Sequence, residues 1–173
     1  TVDDSYRQVV KLLSDSKEKR QQLLAILDKV VVKSKTTGAG ETRKLGQGLA
    51  YFYRAKAKGQ LRDAKGLDAD LTAAGDAWPD LKSACALQAA LALYNAGGYA
   101  DAGARVVPLM TTAPDRLIAA LLADIDPREA LLSLRGLADQ LTKIGRQDQA
   151  REVFRLVAEA QGSSSRAQRI ADR

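Results

Sequence analysis

At 173 residues the chain is long enough for one domain or one short repeat array, and 46% hydrophobic residues suffice for a core, which excludes a disordered chain. No histidine and a single cysteine exclude His-based triads, His-containing zinc sites, CxxC metal pairs and an internal disulfide. The net charge of +6 is uneven: residues 1–66 hold 15 Lys/Arg against 7 Asp/Glu, and residues 67–173 hold 12 against 14. That asymmetry is expected of a basic face turned towards an acidic partner, or of a plain solvated helical surface.

Ala, Leu, Gln, Lys and Arg recur without long β-branched or aromatic runs, which favours helix. No apolar run approaches the roughly 20 residues of a membrane span. The chain starts at Thr1, as expected of a processed product or an excised domain. Its Ala-rich, Cys-poor composition has a bacterial character, with a cytoplasmic or periplasmic/cell-envelope setting as the expectation.

In chain order, Val9, Val10, Leu12 and Leu13 form the apolar face of a short first helix. "SDS" at 14–16 then breaks and re-caps the chain. Leu23, Leu24, Leu27, Val30 and Val31 repeat at three and four, a helical period. "KSKTTGAGET" at 33–42 reads as a polar linker. Two helices with a turn near Gly59 fill 43–74. "GDAWPDL" stops and restarts the chain with Pro79, and the next hairpin turns at "AGGYAD", 96–101. A short extra helix follows Pro114. "DPRE" at 126–129 opens another, capped by Asp126 with Pro127 in its first turn. That helix runs to about Ile144, the last from 147 to about 161, and "GSSS" at 162–165 closes the ordered part.

Three stretches align, at 50–71, 89–109 and 137–157. Each carries a turn glycine and an alanine five residues on: Gly59/Ala64, Gly97/Ala102 and Gly145/Ala150. Glycine permits the tight turn, and alanine lets the second helix approach the first. Before each turn, Gly48, Tyr51, Phe52 and Ala55 match Ala86, Ala89, Ala90 and Leu93, and Leu134, Leu137, Ala138 and Leu141. That spacing is one helical face. After the turn, Asp68 and Leu71 match Val106 and Leu109, and Phe154 and Val157.

On these residues the chain resembles the tetratricopeptide repeat (TPR) family over roughly 45–160. Gly97, Tyr99 and Ala102 carry the resemblance in one copy, and Leu137, Ala138, Gly145, Ala150 and Phe154 in another. Asp68 stands in the first copy where an aromatic or aliphatic residue is expected, and the turn spacing is irregular. The resemblance implies an all-α, right-handed α-solenoid of antiparallel hairpins. N-terminal capping helices would occupy 1–35, the repeats 36–162 and a polar tail 163–173. The alternative is an unrelated helical bundle with similar hairpins.

The resemblance further implies a concave groove on the first helix of each pair, holding a partner's peptide or helix. Its expected lining is Leu49, Tyr53, Lys56, Leu87, Leu91, Tyr94, Asn95, Arg135, Asp139 and Lys143. Tyr51 and Phe52 then belong to the packing stripe. Alternatively the array closes on itself, and these leucines are core. A basic surface of Lys29, Lys33, Lys35, Arg43, Lys44, Arg54, Lys58 and Arg62, adjoining Lys56, would steer an acidic partner or contact nucleic acid or an anionic membrane surface. The glycines at 38–48 follow no strand and form no P-loop. The pairs Asp68/Asp70 and Asp124/Asp126 fit helix ends and solvated faces. Cys85 reads as a small buried residue. The expectation is an interaction module without catalysis, cofactor or metal. The alternatives are a basic domain binding nucleic acid or another polyanion, and a helical accessory domain of a larger enzyme.

Overall fold

The computed structural model describes residues 16–124 and 126–171. The short helix read at Val9–Leu13 lies outside them. The described chain is all-helical, without strands: α1 Lys17–Ser34, α2 Gly40–Gln60, α3 Ala64–Ala77, α4 Lys82–Asn95, α5 Tyr99–Thr112, α6 Pro114–Leu122, α7 Pro127–Lys143 and α8 Gln147–Ala171. A single 3₁₀ turn, Pro79–Leu81, leads into α4. The chain divides into two compact units after Cys85.

Local chemistry sets the helix starts. Ser16 Oγ accepts from the Lys19 N–H at 3.2 Å and caps α1. Asp63 caps α3 through the Gly66 N–H at 2.9 Å. Asp126 caps α7 through the Glu129 N–H at 3.1 Å, and Asp124 Oδ1 accepts from the Asp126 N–H at 3.0 Å. The second acidic pair therefore holds a helix start. Pro114 and Pro127 sit in the first turns of α6 and α7.

Two boundaries differ from the sequence reading. Residues 40–42 open α2 rather than ending a linker. The last helix does not stop at "GSSS" but runs on to Ala171. Ser165 Oγ donates to the Gln161 carbonyl at 3.0 Å, so that hydroxyl is satisfied within the helix.

In the first unit α2 packs against both α1 and α3. Its buried residues are Gly48, Leu49, Ala50, Phe52, Tyr53, Ala55 and Ala57. Leu23, Leu27 and Val31 of α1 and Leu67, Leu71 and Ala74 of α3 complete this core. The second unit has a core of Leu87, Ala90, Val106, Met110, Leu117, Leu121, Leu134, Leu137, Leu141, Val153 and Leu156, among others. Each such leucine contributes roughly 1.5–3 kcal/mol of burial.

The hairpin turns correct the alignment of the repeats. Gly97 and Gly145 have φ of +84° and +79°. Each ends its helix with the same pair of bonds. The Gly98 and Arg146 N–H groups donate to the carbonyls of Leu93 and Leu141, both at 2.8 Å, while Gly97 and Gly145 donate to Tyr94 and Thr142. In the first hairpin the residue in this conformation is Arg62, with φ +61°. There Asp63 donates to the Lys58 carbonyl at 2.9 Å and Arg62 to Gly59 at 3.0 Å. Gly59 lies inside α2, so the first copy is shifted by three residues from the expected register.

In the shifted register the three copies agree at one point. Seven residues before the turn stand Ala55, Ala90 and Ala138, all fully buried. Five after it stand Leu67, Ala102 and Ala150, also buried. Phe154, expected on the packing stripe, is 40% exposed.

Candidate functional site

The ten expected groove residues separate by burial. Leu49, Tyr53 and Leu87 are 8%, 3% and 0% exposed and are interior packing residues. Tyr53 meets Phe52 edge-on, with ring centroids 5.4 Å apart. The expectation that Tyr53 faces outward is therefore corrected. Covered by helices on two sides, α2 buries a wider arc than one hairpin partner requires. Tyr51 and Lys56 are half-buried. The Lys56 ammonium lies 5.9 Å from the centroid of the Phe52 ring, and the Arg54 guanidinium 5.4 Å from that of Tyr51.

The expected basic surface also divides. Lys29, Lys33, Lys35, Arg43, Lys44 and Arg62 are exposed. Arg43 donates to the Gly38 carbonyl from Nε at 2.9 Å and from Nη2 at 2.6 Å, which ties the α1–α2 connection. Arg54 and Lys58 are not surface cations. Arg54 grips the buried Asp70 with two bonds of 2.7 Å and reaches Asp28 of α1 at 3.1 Å. Lys58 Nζ stands 2.9 Å from Asp70 Oδ2, the oxygen that also accepts from Arg54 Nε. Burial raises the Asp70 pKa, but hydrogen bonds and charge from Arg54 and Lys58 outweigh it and hold the carboxyl below its ordinary value. The hydrogen bond to Asp70 raises Arg54 in turn. This cluster locks α1, α2 and α3 together and is internally satisfied.

The other six groove candidates, Leu91, Tyr94, Asn95, Arg135, Asp139 and Lys143, belong to the second unit and reach its surface fully or partly. Gly136 brings one of them, Tyr94, against α7. A methyl group at Gly136 would collide with Tyr94 Oη, and would stand 3.0 Å from Tyr94 Cζ. The phenol of α4 thus lies directly on the α7 backbone. Tyr99 braces the ring at a centroid distance of 5.8 Å. Along the same line of α7, at helical spacing, stand exposed Leu132, Arg135, Asp139 and Lys143. Leu132 is 66% exposed, unusual for a leucine among this many buried ones.

Sequence reasoning missed Leu132 and Gly136. Each stands three residues before a position it did name, Arg135 and Asp139, and a glycine inside a helix is a signal of close approach. The resulting face has an aromatic and aliphatic floor and a charged rim. It suits burial of a partner side chain; it offers no nucleophile paired with a base.

Burial pushes the Cys85 thiol up to about 12, which removes its nucleophilic form at neutral pH. Among the described residues no group of acidic or sulfur ligands is arranged to hold a metal. No described helix is long and apolar enough to cross a membrane. Comparison with protein-family models, curated proteins and solved structures finds no match for this chain.

Proposed function

We propose that the chain is a non-catalytic interaction module, built from TPR-like hairpins of the right-handed α-solenoid kind, that holds a peptide or helix of a partner protein. The supporting observation is the face of the second unit on which Tyr94 rests over Gly136, with exposed Leu132 one turn away on α7. Burying a partner's apolar side chain on Leu132 and Tyr94 supplies affinity, and Arg135, Asp139 and Lys143 on the rim supply orientation and steering.

The test is a photo-crosslinking residue placed at Asn95 or Asp139 of the full chain, with Ala104 of α5 as the exposed control. Exposure to source lysate, with and without nuclease, should give a nuclease-resistant protein adduct at 95 and 139 but not at 104. A Leu132→Ser change should abolish the adduct while circular dichroism stays unchanged. Equal labelling at all three positions, or adducts indifferent to Leu132→Ser, refutes the reading.

A second reading rests on the first unit, where Lys29, Lys33, Lys35, Arg43 and Lys44 are all exposed around the α1–α2 connection. Such a surface contacts nucleic acid or another polyanion without reading sequence. Affinity for a duplex oligonucleotide that falls steeply between 50 and 200 mM salt, and falls further with Lys29→Gln/Lys33→Gln, would favour it.

A further inference from the structure

A cleft in the first unit lies where the start of α2 meets the end of α3. Glu41, Lys44 and Gln47 line one wall, and Asp76, Trp78 and Pro79 the other. Its volume is about 450 Å³, within the range of small-ligand sites. Gly48 makes the cleft possible. A methyl group there would stand 2.8 Å from Trp78 Cβ and 3.0 Å from Leu81 Cδ1, so the bare backbone lets the 78–81 segment close onto α2. Trp78 is the chain's one tryptophan and is half-buried. Its backbone is extended, at φ −138° and ψ 96°, between α3 and the 3₁₀ turn. No hydrogen bond joins its indole to the described residues.

The chemistry of the lining selects a ligand. It offers an aromatic face, two exposed carboxylates from Glu41 and Asp76, and one ammonium from Lys44. The lining thus carries two acidic groups against one basic group. An anionic ligand meets two like charges and one opposite charge. A planar cation meets the reverse, together with the negative face of an indole. A guanidinium stacks flat on such a ring and donates in its own plane to carboxylates at the edges, which a compact ammonium cannot do. We propose that this cleft binds the guanidinium group of an arginine side chain presented by a partner protein or peptide. The proposal concerns the first unit alone and stands independently of the Tyr94–Leu132 face.

The single tryptophan makes the test direct, because indole fluorescence of the full chain reports this cleft. The probe is acetyl-arginine methylamide, and the control is its citrulline counterpart, of the same shape but neutral. The arginine probe should give a saturable change with half-saturation in roughly the millimolar range, and the citrulline probe none. Glu41→Gln and Asp76→Asn should each weaken binding about tenfold, and Lys44→Gln should strengthen it several-fold. All three positions are exposed, and unchanged circular dichroism confirms that the variants fold. A linear response, equal responses to both probes, or carboxylate variants that bind as the parent does would overturn the assignment. So would weaker binding in Lys44→Gln, since that is the sign of an anion site.

Discussion

Replacing Asp70 by asparagine keeps the shape of the side chain and removes the charge at the centre of the first unit. Arg54 and Lys58 then face each other across a neutral amide, each with a side chain only 17% exposed. Breaking a buried ion pair from one side costs about 3–5 kcal/mol, because the remaining charge is stranded. Here two features lower the figure. Arg54 retains Asp28 at 3.1 Å, and both cations have some access to water. The expected loss is therefore about 2–3 kcal/mol. Urea unfolding followed by Trp78 fluorescence reads the same unit. At a slope of about 1–3 kcal/mol per molar, the midpoint should fall by roughly 1 M. A change below about 0.5 kcal/mol would show that the cluster contributes nothing and refute the reasoning.

The same cluster predicts a pH dependence. The Asp70 carboxyl is held below its ordinary 3.8, so the unfolded chain takes up its proton first as pH falls. Its contribution is complete above about pH 4 and is lost below that, as pH drops through the folded value. Parent and Asp70→Asn should differ in stability at pH 6 and converge towards pH 2. Removing all three charges tells a different story. Arg54→Leu/Lys58→Leu/Asp70→Val copies the side chains that Leu137, Leu141 and Val153 supply at the matching positions of the α7–α8 hairpin. Well-packed apolar replacements of buried ion clusters are often neutral or stabilising, so this triple variant should be at least as stable as the parent within about 1 kcal/mol.

Three further outcomes are expected. Arg62→Gly relieves a left-handed backbone at the first turn and should stabilise by about 0.5–1 kcal/mol in urea unfolding, whereas Gly97→Ala and Gly145→Ala should each cost about 1 kcal/mol. Gly136→Ala drives a methyl group into Tyr94 Oη and should destabilise by about 1–3 kcal/mol, with Tyr94→Phe restoring part of the loss in a double-mutant cycle. Cys85 should resist a disulfide reagent at pH 8 in the folded chain and react promptly in denaturant, as a buried thiol pushed up to about 12 requires.

The helices were legible in the sequence wherever a cap or proline announced them, at Ser16, Pro114 and the Asp126–Pro127 start. The second and third turns were legible too, since Gly97 and Gly145 supply the positive φ that a helix end demands. The first turn was not, and the reason is physical. Its left-handed residue is an arginine, which pattern reading does not expect there, while Gly59 three residues earlier offers a false marker. The hydrophobic stripe could not correct the error. Eight and four residues before the true turn the other copies carry Ala89 and Leu93, and Leu137 and Leu141, but this copy carries Arg54 and Lys58. Asp70, reaching in from α3, neutralises both, so residues that look like a solvated basic face are interior. A charge pattern read along one helix cannot reveal its counter-ion on another. The misplaced register then carried Tyr53 outward, when it is 3% exposed in an α2 that packs against both α1 and α3. On the second unit no charge replaces the stripe, and six groove positions named from the sequence do reach its surface. For Gly136 the helical glycine was a signal of close approach, but which residue approaches, Tyr94 of α4, is visible only in the structure, and the exposure of Leu132 likewise.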